Sequence, residues 1–445
     1  MQLTIHDVAV FANQTVVEQQ DIVIQDARIQ HIGPSSDRSA EATATEHGDH
    51  IDGHGLLAIP GLKNAHTHSA MTLLRGYGEG MALHEWLQTR IWPAEAKLSE
   101  QDVYWGTRLA AIEMIRCGTT YANDMYFFPD AVAAAFRDSG MRAGIGLALF
   151  DFGDSKQRKS QQRALERTLE AWPDPLQATA DQRCYPVVAP HSVYTCSSQL
   201  LEWAAVRARE QGLLFHIHMA ESQREIRDAE TETGMKPFAH LQRCGVLEQV
   251  GARMLAAHAV WLDDAELALA RDNKITFVHN PASNAKIASG VLPWRRYADA
   301  GVTVLLATDG AASNNGLNLL HDARLAALLQ NVTQLNAQEV DHHEILAAAF
   351  GGNASGDSVL TQHGMSAALE PGATADIALL RRNHYSMIPQ HDAAANLLYS
   401  AEAEAVDTVI CAGKVIMRGR RIPEEEAVVA EASERARALV ERAGA

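Results

Sequence analysis

The sequence predicts an α/β fold: a (β/α)8 TIM-type barrel with a small β-sandwich domain built from both termini. In the middle of the chain, short apolar runs alternate with longer amphipathic segments, as expected when parallel strands are connected by helices. Near each end, strand-like runs follow one another without helix-length spacers. A chain of 445 residues is also long enough for about two or three domains.

Strand-like stretches near both ends of the chain predict the smaller domain. They lie at 3–11, 21–24, 28–32 and 56–59, and then at 377–380, 406–411 and 414–417. A surface helix rich in Ala, Glu and Arg is expected from Glu424 onward. We therefore predict a composite β domain from residues 1–58 and 367–445, C-terminal helix included, and a barrel over residues 59–366.

Eight candidate strands make up the predicted barrel. They lie at 62–66, 119–125, 144–150, 185–189, 213–219, 254–258, 275–279 and 302–308. The segments 101–116, 199–211, 237–244 and 264–271 between them are amphipathic and long enough for helices. An open doubly wound sheet is the structural alternative, but it would carry a glycine-rich turn after its first strand. The nearest candidate, at 76–80, has the wrong glycine spacing.

Composition and charge narrow the class of protein. The chain is 47% hydrophobic and 21% charged, with a net charge of −17 and no long block of one sign. An acidic surface disfavours nucleic acid or an anionic membrane as a partner. No apolar run reaches the ~18 residues of a membrane span, and the N-terminus does not resemble a signal peptide. Five scattered cysteines without a C-x-x-C pair fit a reducing compartment, so we predict a soluble cytoplasmic protein.

The first barrel strand ends in two histidines, His66 and His68. Residues at i and i+2 of a strand point to the same face, so both imidazoles can converge on one point. Two neutral imidazoles make half of a site for a first-row metal ion. Two ordinary histidines near a loop would give the same pattern, so the rest of the chain has to supply further ligands.

Other predicted strands also end in histidine or aspartate. The fifth ends in His216 and His218 with Glu221 shortly after, the sixth ends at His258, and the eighth is followed by Asp309. Barrel enzymes place their chemistry at these C-terminal strand ends, and such groups are costly inside a protein unless paired. Four such endings together indicate one metal centre. His216 and His218 share a face, so the spacing alone leaves both as candidate ligands.

Four motifs give the chain a resemblance to a known family. They are Pro-Gly-Leu-Lys-Asn-Ala-His-Thr-His at 60–68, His-Ile-His-Met-Ala-Glu at 216–221, His-Asn-Pro-Ala-Ser-Asn at 279–284 and Thr-Asp-Gly-Ala-Ala-Ser-Asn-Asn at 308–315. With them the chain resembles the amidohydrolase superfamily, in particular the branch of adenosine, 5'-methylthioadenosine and S-adenosylhomocysteine deaminases and their chlorotriazine-hydrolase relatives. The resemblance extends over nearly the whole chain.

The resemblance implies a ligand set for one divalent metal ion, with zinc expected: His66, His68, His218 and Asp309. His218 is preferred to His216 because the family's histidine lies three residues before its glutamate. The carboxylated lysine that binuclear relatives carry after the fourth strand has no counterpart at 187–191, so one ion per chain is expected. The other deaminase zinc motif, H-x-E with P-C-x-x-C, is absent from the sequence.

The resemblance also implies roles for five residues. Asp309 would accept a proton from the attacking water, and His258 would orient that water. Glu221 would protonate a purine ring nitrogen and then help ammonia to leave, which is general acid–base catalysis. Glu95 would accept hydrogen bonds from ribose hydroxyls, and His191 would face the substrate. Glu221 and Asp309 would thus contact the substrate as well.

The expected activity is hydrolytic deamination of an adenine nucleoside, namely 5'-methylthioadenosine, S-adenosylhomocysteine or adenosine, to the inosine analogue and ammonia. The segment 150–154 lacks the arginine that some relatives use at the far end of the substrate, which favours thioether nucleosides or adenosine over S-adenosylhomocysteine. An amino- or halohydrolase of a triazine, pterin or oxidised guanine is the alternative, and an inactive scaffold barrel is a third reading. Relatives suggest a homodimer or homotetramer.

Overall fold

The computed structural model describes residues 2–12, 14–35, 49–172 and 182–444, so residues 36–48 of the predicted composite domain lie outside the described residues. The strands are β1 Gln2–Ala12, β2 Thr15–Gln25, β3 Arg28–Pro34, β4 Asp49–Asp52, β5 Leu56–Pro60, β6 Leu62–Thr67, β7 Thr119–Tyr126, β8 Arg142–Leu149, β9 Cys184–Pro190, β10 Phe215–Met219, β11 Met254–His258, β12 Thr276–His279, β13 Thr303–Leu306, β14 Ile377–Arg381, β15 Val406–Cys411 and β16 Lys414–Met417.

The α-helices are α1 Leu83–Trp86, α2 Trp92–Glu95, α3 Glu100–Arg116, α4 Pro129–Ser139, α5 Ser155–Ala171, α6 Ser198–Gln211, α7 Gln223–Thr233, α8 Pro237–Arg243, α9 Val246–Val250, α10 Asp264–Asp272, α11 Pro281–Lys286, α12 Trp294–Asp299, α13 Leu319–Gln334, α14 His342–Ala349, α15 Val359–Gln362, α16 Ala393–Ala395 and α17 Glu425–Ala443. Short 3-10 turns lie at Ser69–Leu74, Gly251–Arg253, Tyr385–Met387 and Ala403–Ala405, and π-helical turns at Leu87–Ile91 and Asn396–Ser400. Within the described residues, no helix is long and apolar enough to cross a membrane.

Strands β6 to β13 form a parallel sheet in sequence order, and this sheet rolls into the predicted barrel. The two end strands meet where the backbone N–H of Asp309 donates to the carbonyl oxygen of His66 at 3.1 Å. Beside that bond, the Asn64 amide and the Thr308 hydroxyl pair at 2.7 Å. The barrel is therefore closed at the same point where two of the predicted metal ligands lie.

The predicted barrel strands agree with the observed ones to within a few residues. The prediction at 254–258 coincides with β11, whereas β13 ends at Leu306 and not at the predicted residue 308. The physical reason is that Thr308 N–H donates to the side-chain oxygen of Asn64 at 3.0 Å and not to a neighbouring strand. Asp309 follows with a φ of 62°, in the left-handed region, and its side chain lies at the barrel mouth.

The interior below the barrel mouth is apolar. Its buried side chains include Ala65, Val187, Leu255 and Leu305, and Met365 closes it from below. The strands are buried along almost their whole length, as expected for parallel strands covered on both faces. The core thus holds the C-terminal strand ends in fixed positions.

The second sheet has the strand order β16-β15-β14-β5-β1-β2-β3, with β4 paired to β1, so both ends of the chain contribute to it as predicted. The β5 strand joins the two parts by pairing with β1 on one side and β14 on the other. The sheet curls around an apolar cluster, since the segment before β14 pairs with β3 through a hydrogen bond from Ile29 N–H to Ala373 O at 2.9 Å. The residue boundaries given above for the two domains stay a prediction.

The C-terminal helix α17 lies on α3, with Val428, Ala432 and Leu439 buried. Ion pairs fix its two ends: Arg116 contacts Glu425 and Arg442 contacts Asp102, the latter at 2.6 Å. The predicted surface helix is therefore present and attached to the barrel through a helix that starts with a Ser99–Asp102 capping box.

Candidate metal and active site

A cavity of about 630 Å³ opens at the C-terminal ends of the barrel strands. Seven of the eight predicted site residues line it, and the eighth, His66, is buried beneath them. The seven are Glu95, His68, His191, His218, Glu221, His258 and Asp309. The structure thus brings all the predicted residues to one place.

His68 and His218 present the same ring nitrogen to the same point. The Nδ1–H of His68 donates to the carbonyl oxygen of Met125 at 2.6 Å, and the Nδ1–H of His218 donates to that of His191 at 2.7 Å. A carbonyl oxygen can only accept, so each ring carries its proton on Nδ1 and keeps a lone pair on Nε2. The two Nε2 atoms lie 3.2 Å apart.

His66 completes the group of imidazoles from below. Its Nε2 lies 3.3 Å from Asp309 Oδ1, and its Nδ1 lies 2.9 Å from Nε2 of His216. Burial lowers the pKa of His66 to about 4, so the ring is neutral at physiological pH. A neutral imidazole is the form that binds a metal ion.

Asp309 supplies the carboxylate. Its Oδ1 lies 3.4 Å from His68 Nε2, while its Oδ2 accepts hydrogen bonds from the hydroxyls of Ser283 at 2.6 Å and Ser313 at 3.1 Å. Burial alone would raise the pKa of Asp309, but the neighbouring histidines, His66 first, hold it well below its usual value. The carboxylate is therefore ionised and held in one orientation.

These four donors fit one divalent metal ion. Three imidazole nitrogens and one carboxylate oxygen are the donor types that zinc takes in catalytic sites. Nε2 of His66 is buried and makes no well-formed hydrogen bond among the described residues, and a cation between it and Asp309 Oδ1, 3.3 Å away, would satisfy both atoms. His66, His68 and His218 hold their ligand atoms within 4.8 Å of one another.

His216 does not face this group of donors. Its Nε2 contacts His66 and its Nδ1 contacts the Asn123 amide, so both ring nitrogens are already used. Strand spacing alone left both histidines as candidate ligands, and the geometry supports His218 over His216.

His258 lies beside the donors at the end of β11. Its Nδ1–H donates to Asn284 Oδ1 at 2.8 Å, and its Nε2 lies 3.9 Å from Glu221 Oε2. Burial lowers the pKa of His258, but the charges of Glu221 and Asp309 outweigh it and raise the pKa. The residue has a φ of 69°, a left-handed conformation that is unusual for histidine and often found at functional sites.

Glu221 lies in the turn that follows β10, with 5% of its surface exposed. Its Oε1 accepts a hydrogen bond from the Ser289 hydroxyl at 3.2 Å. The turn is held by Glu225, whose carboxylate accepts the backbone N–H of Ala220 at 3.0 Å and that of Glu221 at 2.8 Å. Burial raises the pKa of Glu221 above its ordinary value, which favours the protonated carboxyl that a proton donor needs.

Glu95 and His191 also line the cavity, and the His191 ring lies beside that of His218, with ring centroids 4.6 Å apart. Removal from solvent raises the pKa of Glu95 to about 8, although the Tyr126 hydroxyl opposes the shift. The Nδ1 atom of His191 lies 3.1 Å from the Thr195 hydroxyl, and burial lowers the pKa of this histidine to about 3, so its ring is neutral. Both groups can therefore exchange hydrogen bonds with a polar ligand.

The remaining wall is largely aromatic, and Trp92 and Phe150 are among the side chains that form it. Among the described residues that line the cavity, none is lysine or arginine. The segment 150–154, which the sequence analysis noted for its missing arginine, contributes Phe150 and Phe152 to this wall, while Arg158 nearby pairs with Asp151 at 3.3 Å. The described lining thus offers carboxylates and aromatic rings.

Several residues that hold the site together were not predicted from the sequence. Ser283, Asn284 and Ser313 belong to the motifs at 279–284 and 308–315, and their polarity within those motifs was the available signal. Glu225 follows Glu221 by four residues and looks like an ordinary helical surface residue in the sequence. The Asn123 amide gave no signal, because it lies in the middle of a buried strand.

Comparison with known proteins connects this geometry to a family. Residues 57–416 match the model of the Amidohydrolase family. The chain is 43% identical over 396 residues to 5'-deoxyadenosine deaminase of Methanoregula boonei, which covers 88% of this chain and 86% of that protein. It is 38% identical over 436 residues to 5-methylthioadenosine/S-adenosylhomocysteine deaminase of Syntrophomonas wolfei, with 97% of each chain covered. A zinc-bound adenosine deaminase from Xanthomonas campestris superposes with a TM-score of 0.87 at 30% identity, covering 99% of this chain and 98% of that one.

Proposed function

This chain belongs to the amidohydrolase family, and from that membership we propose that it is a metal-dependent hydrolytic deaminase of adenine nucleosides. The substrates would be 5'-methylthioadenosine, S-adenosylhomocysteine, adenosine or 5'-deoxyadenosine, and the products the inosine analogue and ammonia. The observation that carries the proposal is the position of Glu221, a buried carboxyl with a raised pKa that faces the cavity 3.9 Å from His258 and beside the metal donors.

His66, His68, His218 and Asp309 would hold the ion. When bound, a zinc ion supplies the Lewis acidity that makes water acidic enough to attack near neutral pH. The protein contributes by holding the Nδ1–H of His68 and of His218 on backbone carbonyls, which orients both rings towards the ion.

The proton transfers fall to three residues. Asp309 accepts a proton from the attacking water through its carboxylate, and Nε2 of His258 hydrogen-bonds to the same water and orients it. Glu221 donates its proton to the purine ring nitrogen next to the amino-bearing carbon, so that no negative charge builds up on the ring. The proton that Asp309 took then passes to the amino group, and the C–N bond breaks to release ammonia. The remaining proton of the added hydroxyl returns to Glu221 as the new carbonyl forms.

The outer cavity would bind the sugar. Glu95 can accept hydrogen bonds from the ribose hydroxyls through its carboxyl oxygens, and the neutral His191 can exchange hydrogen bonds with the nucleoside. The aromatic wall and the absence of lysine and arginine among the described lining residues favour a neutral 5' substituent over the charged homocysteine group. We therefore expect thioether or 5'-deoxy nucleosides to be better substrates than S-adenosylhomocysteine.

Ammonia release across a panel of substrates tests the proposed function. The zinc-loaded protein should release ammonia from the four adenine nucleosides and much more slowly from melamine and a pterin, which offer Glu95 no ribose. Turnover of melamine or the pterin with no turnover of any nucleoside would favour an aminohydrolase of another heterocycle. No turnover of any compound would favour the third interpretation, an inactive barrel that serves as a scaffold. The dimer or tetramer and the cytoplasmic location stay predictions.

A further inference from the structure

A line of polar side chains leads from the metal donors into the apolar interior of the barrel. Nδ1 of His66 lies 2.9 Å from Nε2 of His216, the Asn123 amide contacts Nδ1 of His216, and the Tyr121 hydroxyl lies 3.3 Å from Oδ1 of Asn123. All four residues are at most 1% exposed. They are joined in a single hydrogen-bonded row that begins at a proposed ligand.

Burying this row is costly, because its surroundings are apolar. Val187, Leu214 and Leu255 pack in the same interior as Tyr121, and a polar group there costs free energy unless it is hydrogen-bonded. The neighbouring strand makes room for the row at Gly144, where an added Cβ would lie 2.6 Å from the Tyr121 hydroxyl and also overlap the Asn123 amide. The barrel therefore accommodates a polar row where aliphatic side chains would pack more simply.

His66 differs from the other proposed histidine ligands in its outer partner. His68 and His218 each donate Nδ1–H to a carbonyl oxygen, which can only accept and so fixes the proton on Nδ1. The outer partner of His66 is another imidazole, which can either donate or accept. His66 can offer a lone pair at Nε2 only if its own proton is on Nδ1, and Nε2 of His216 must then be the acceptor.

A definite direction of the hydrogen bonds follows along the row. If His216 accepts at Nε2, its proton is on Nδ1 and must be donated to an acceptor. The Asn123 amide provides that acceptor when it is turned over, so that Oδ1 faces the His216 ring and Nδ2 faces Tyr121, and the shape of an amide group permits this exchange. The amide nitrogen then donates to the Tyr121 oxygen. Each contact is satisfied in this arrangement, and His66 keeps a free lone pair above.

We propose that His216 is a positioning residue for the metal site: it accepts the Nδ1–H of His66, and Asn123 holds it in that state. This inference rests on the proposed ligand role of His66, but not on which nucleoside is deaminated. Outer-shell partners of metal ligands commonly contribute about 10- to 100-fold to metal affinity, and the same range is expected here.

Zinc affinity, measured by chelator competition, tests this directly. His216→Leu removes the acceptor and should weaken zinc binding by about 10- to 100-fold, whereas His216→Gln, whose side-chain oxygen can take the place of Nε2, should stay within about threefold of wild type. Asn123→Ala removes only the group that fixes His216, and it should weaken zinc binding by about tenfold. His240→Leu is the matched control, because it removes another buried histidine far from the donors and should leave zinc affinity unchanged.

The comparison between the variants keeps a positioning role separate from a structural one. The proposal would be overturned if His216→Leu and His216→Gln weakened zinc binding equally. It would also be overturned if both His216→Leu and Asn123→Ala bound zinc with wild-type affinity. If His216→Leu does not fold, the other two variants still test the proposal. His216→Gln must retain zinc, and Asn123→Ala must bind zinc more weakly than wild type. Normal zinc behaviour with no deamination would reject the proposed function and leave this inference in place.

Discussion

The Nε2 atoms of His68 and His218 face each other at 3.2 Å, and neither ring can move its proton to Nε2 without losing a bond to a backbone carbonyl. Two lone pairs at this distance repel unless a cation lies between them. With Asp309 Oδ1 at 3.4 Å from His68 Nε2, the pair and the carboxylate are arranged to hold one metal ion.

The first prediction is that the purified protein binds one divalent ion per chain. His218→Ala should lose the ion and turnover together, because three ligands hold it far less well than four. His191→Ala should keep the ion, since the backbone carbonyl of residue 191, and not its side chain, holds His218. Elemental analysis measures the ion content of both variants. Two tightly bound ions, or activity that survives chelation, would contradict the mononuclear site.

The second prediction concerns Glu221. Glu221→Gln keeps the shape and the contact with Ser289 but cannot transfer a proton, so turnover should fall by about 10² or more while zinc is retained. Substrate binding should stay within about tenfold of wild type, since the lost function is proton transfer. Steady-state kinetics and elemental analysis on the same preparation measure these effects. If Glu221→Gln deaminates at nearly the wild-type rate, another group must transfer the proton, and His258 would be the next candidate.

The third prediction tests Glu95 against the ribose. Glu95→Ala should weaken nucleoside turnover strongly without changing zinc content, because each unpaired sugar hydroxyl in a closed site costs about 1–3 kcal/mol. A 2',3'-dideoxy nucleoside has no such hydroxyls to lose and should be affected far less. The measurement is kcat/KM of wild type and of Glu95→Ala, each with the normal nucleoside and with its 2',3'-dideoxy analogue. An equal loss on the two substrates would show that the diol is not bound by Glu95.

The fourth prediction is a pH dependence of stability. The pKa of Glu95 rises from 4.5 to about 8 on folding, mainly through burial. Between these values the unfolded chain carries the carboxylate while the folded protein keeps the proton, so stability falls as the pH rises. Glu95→Gln has no proton to lose, and its Tm relative to wild type should increase from about pH 4.5 to about pH 8 and then level off. If thermal scans across this pH range show a constant difference in Tm between Glu95→Gln and wild type, the raised pKa of Glu95 is contradicted.

Much of the site could be predicted because the barrel places strand ends together. The period of 2 in a strand puts His66 and His68 on one face, and parallel strands bring His218, His258 and Asp309 to the same end. The sequence therefore indicated which residues would meet. Strand bounds were predictable to within a few residues for the same reason.

What the sequence could not predict depends on contacts between distant segments. Strand spacing alone did not distinguish His216 from His218. The resemblance favoured His218, and the contact of His216 with Asn123 on β7 gives a physical reason that only the folded barrel provides. The support that Ser283 and Ser313 give to Asp309 depends on two turns folding against each other, which no local pattern records. The raised pKa of Glu95 is likewise a consequence of burial beside Tyr126 and not of its neighbours in sequence.

The most direct test of hydrolytic deamination is mass spectrometry of the product that the zinc-loaded protein makes from 5'-methylthioadenosine in heavy-oxygen water. We predict the inosine analogue with one heavy oxygen at the former amino position, together with one equivalent of ammonia. Recovery of unchanged nucleoside, or release of free adenine by cleavage of the sugar–base bond, would contradict it.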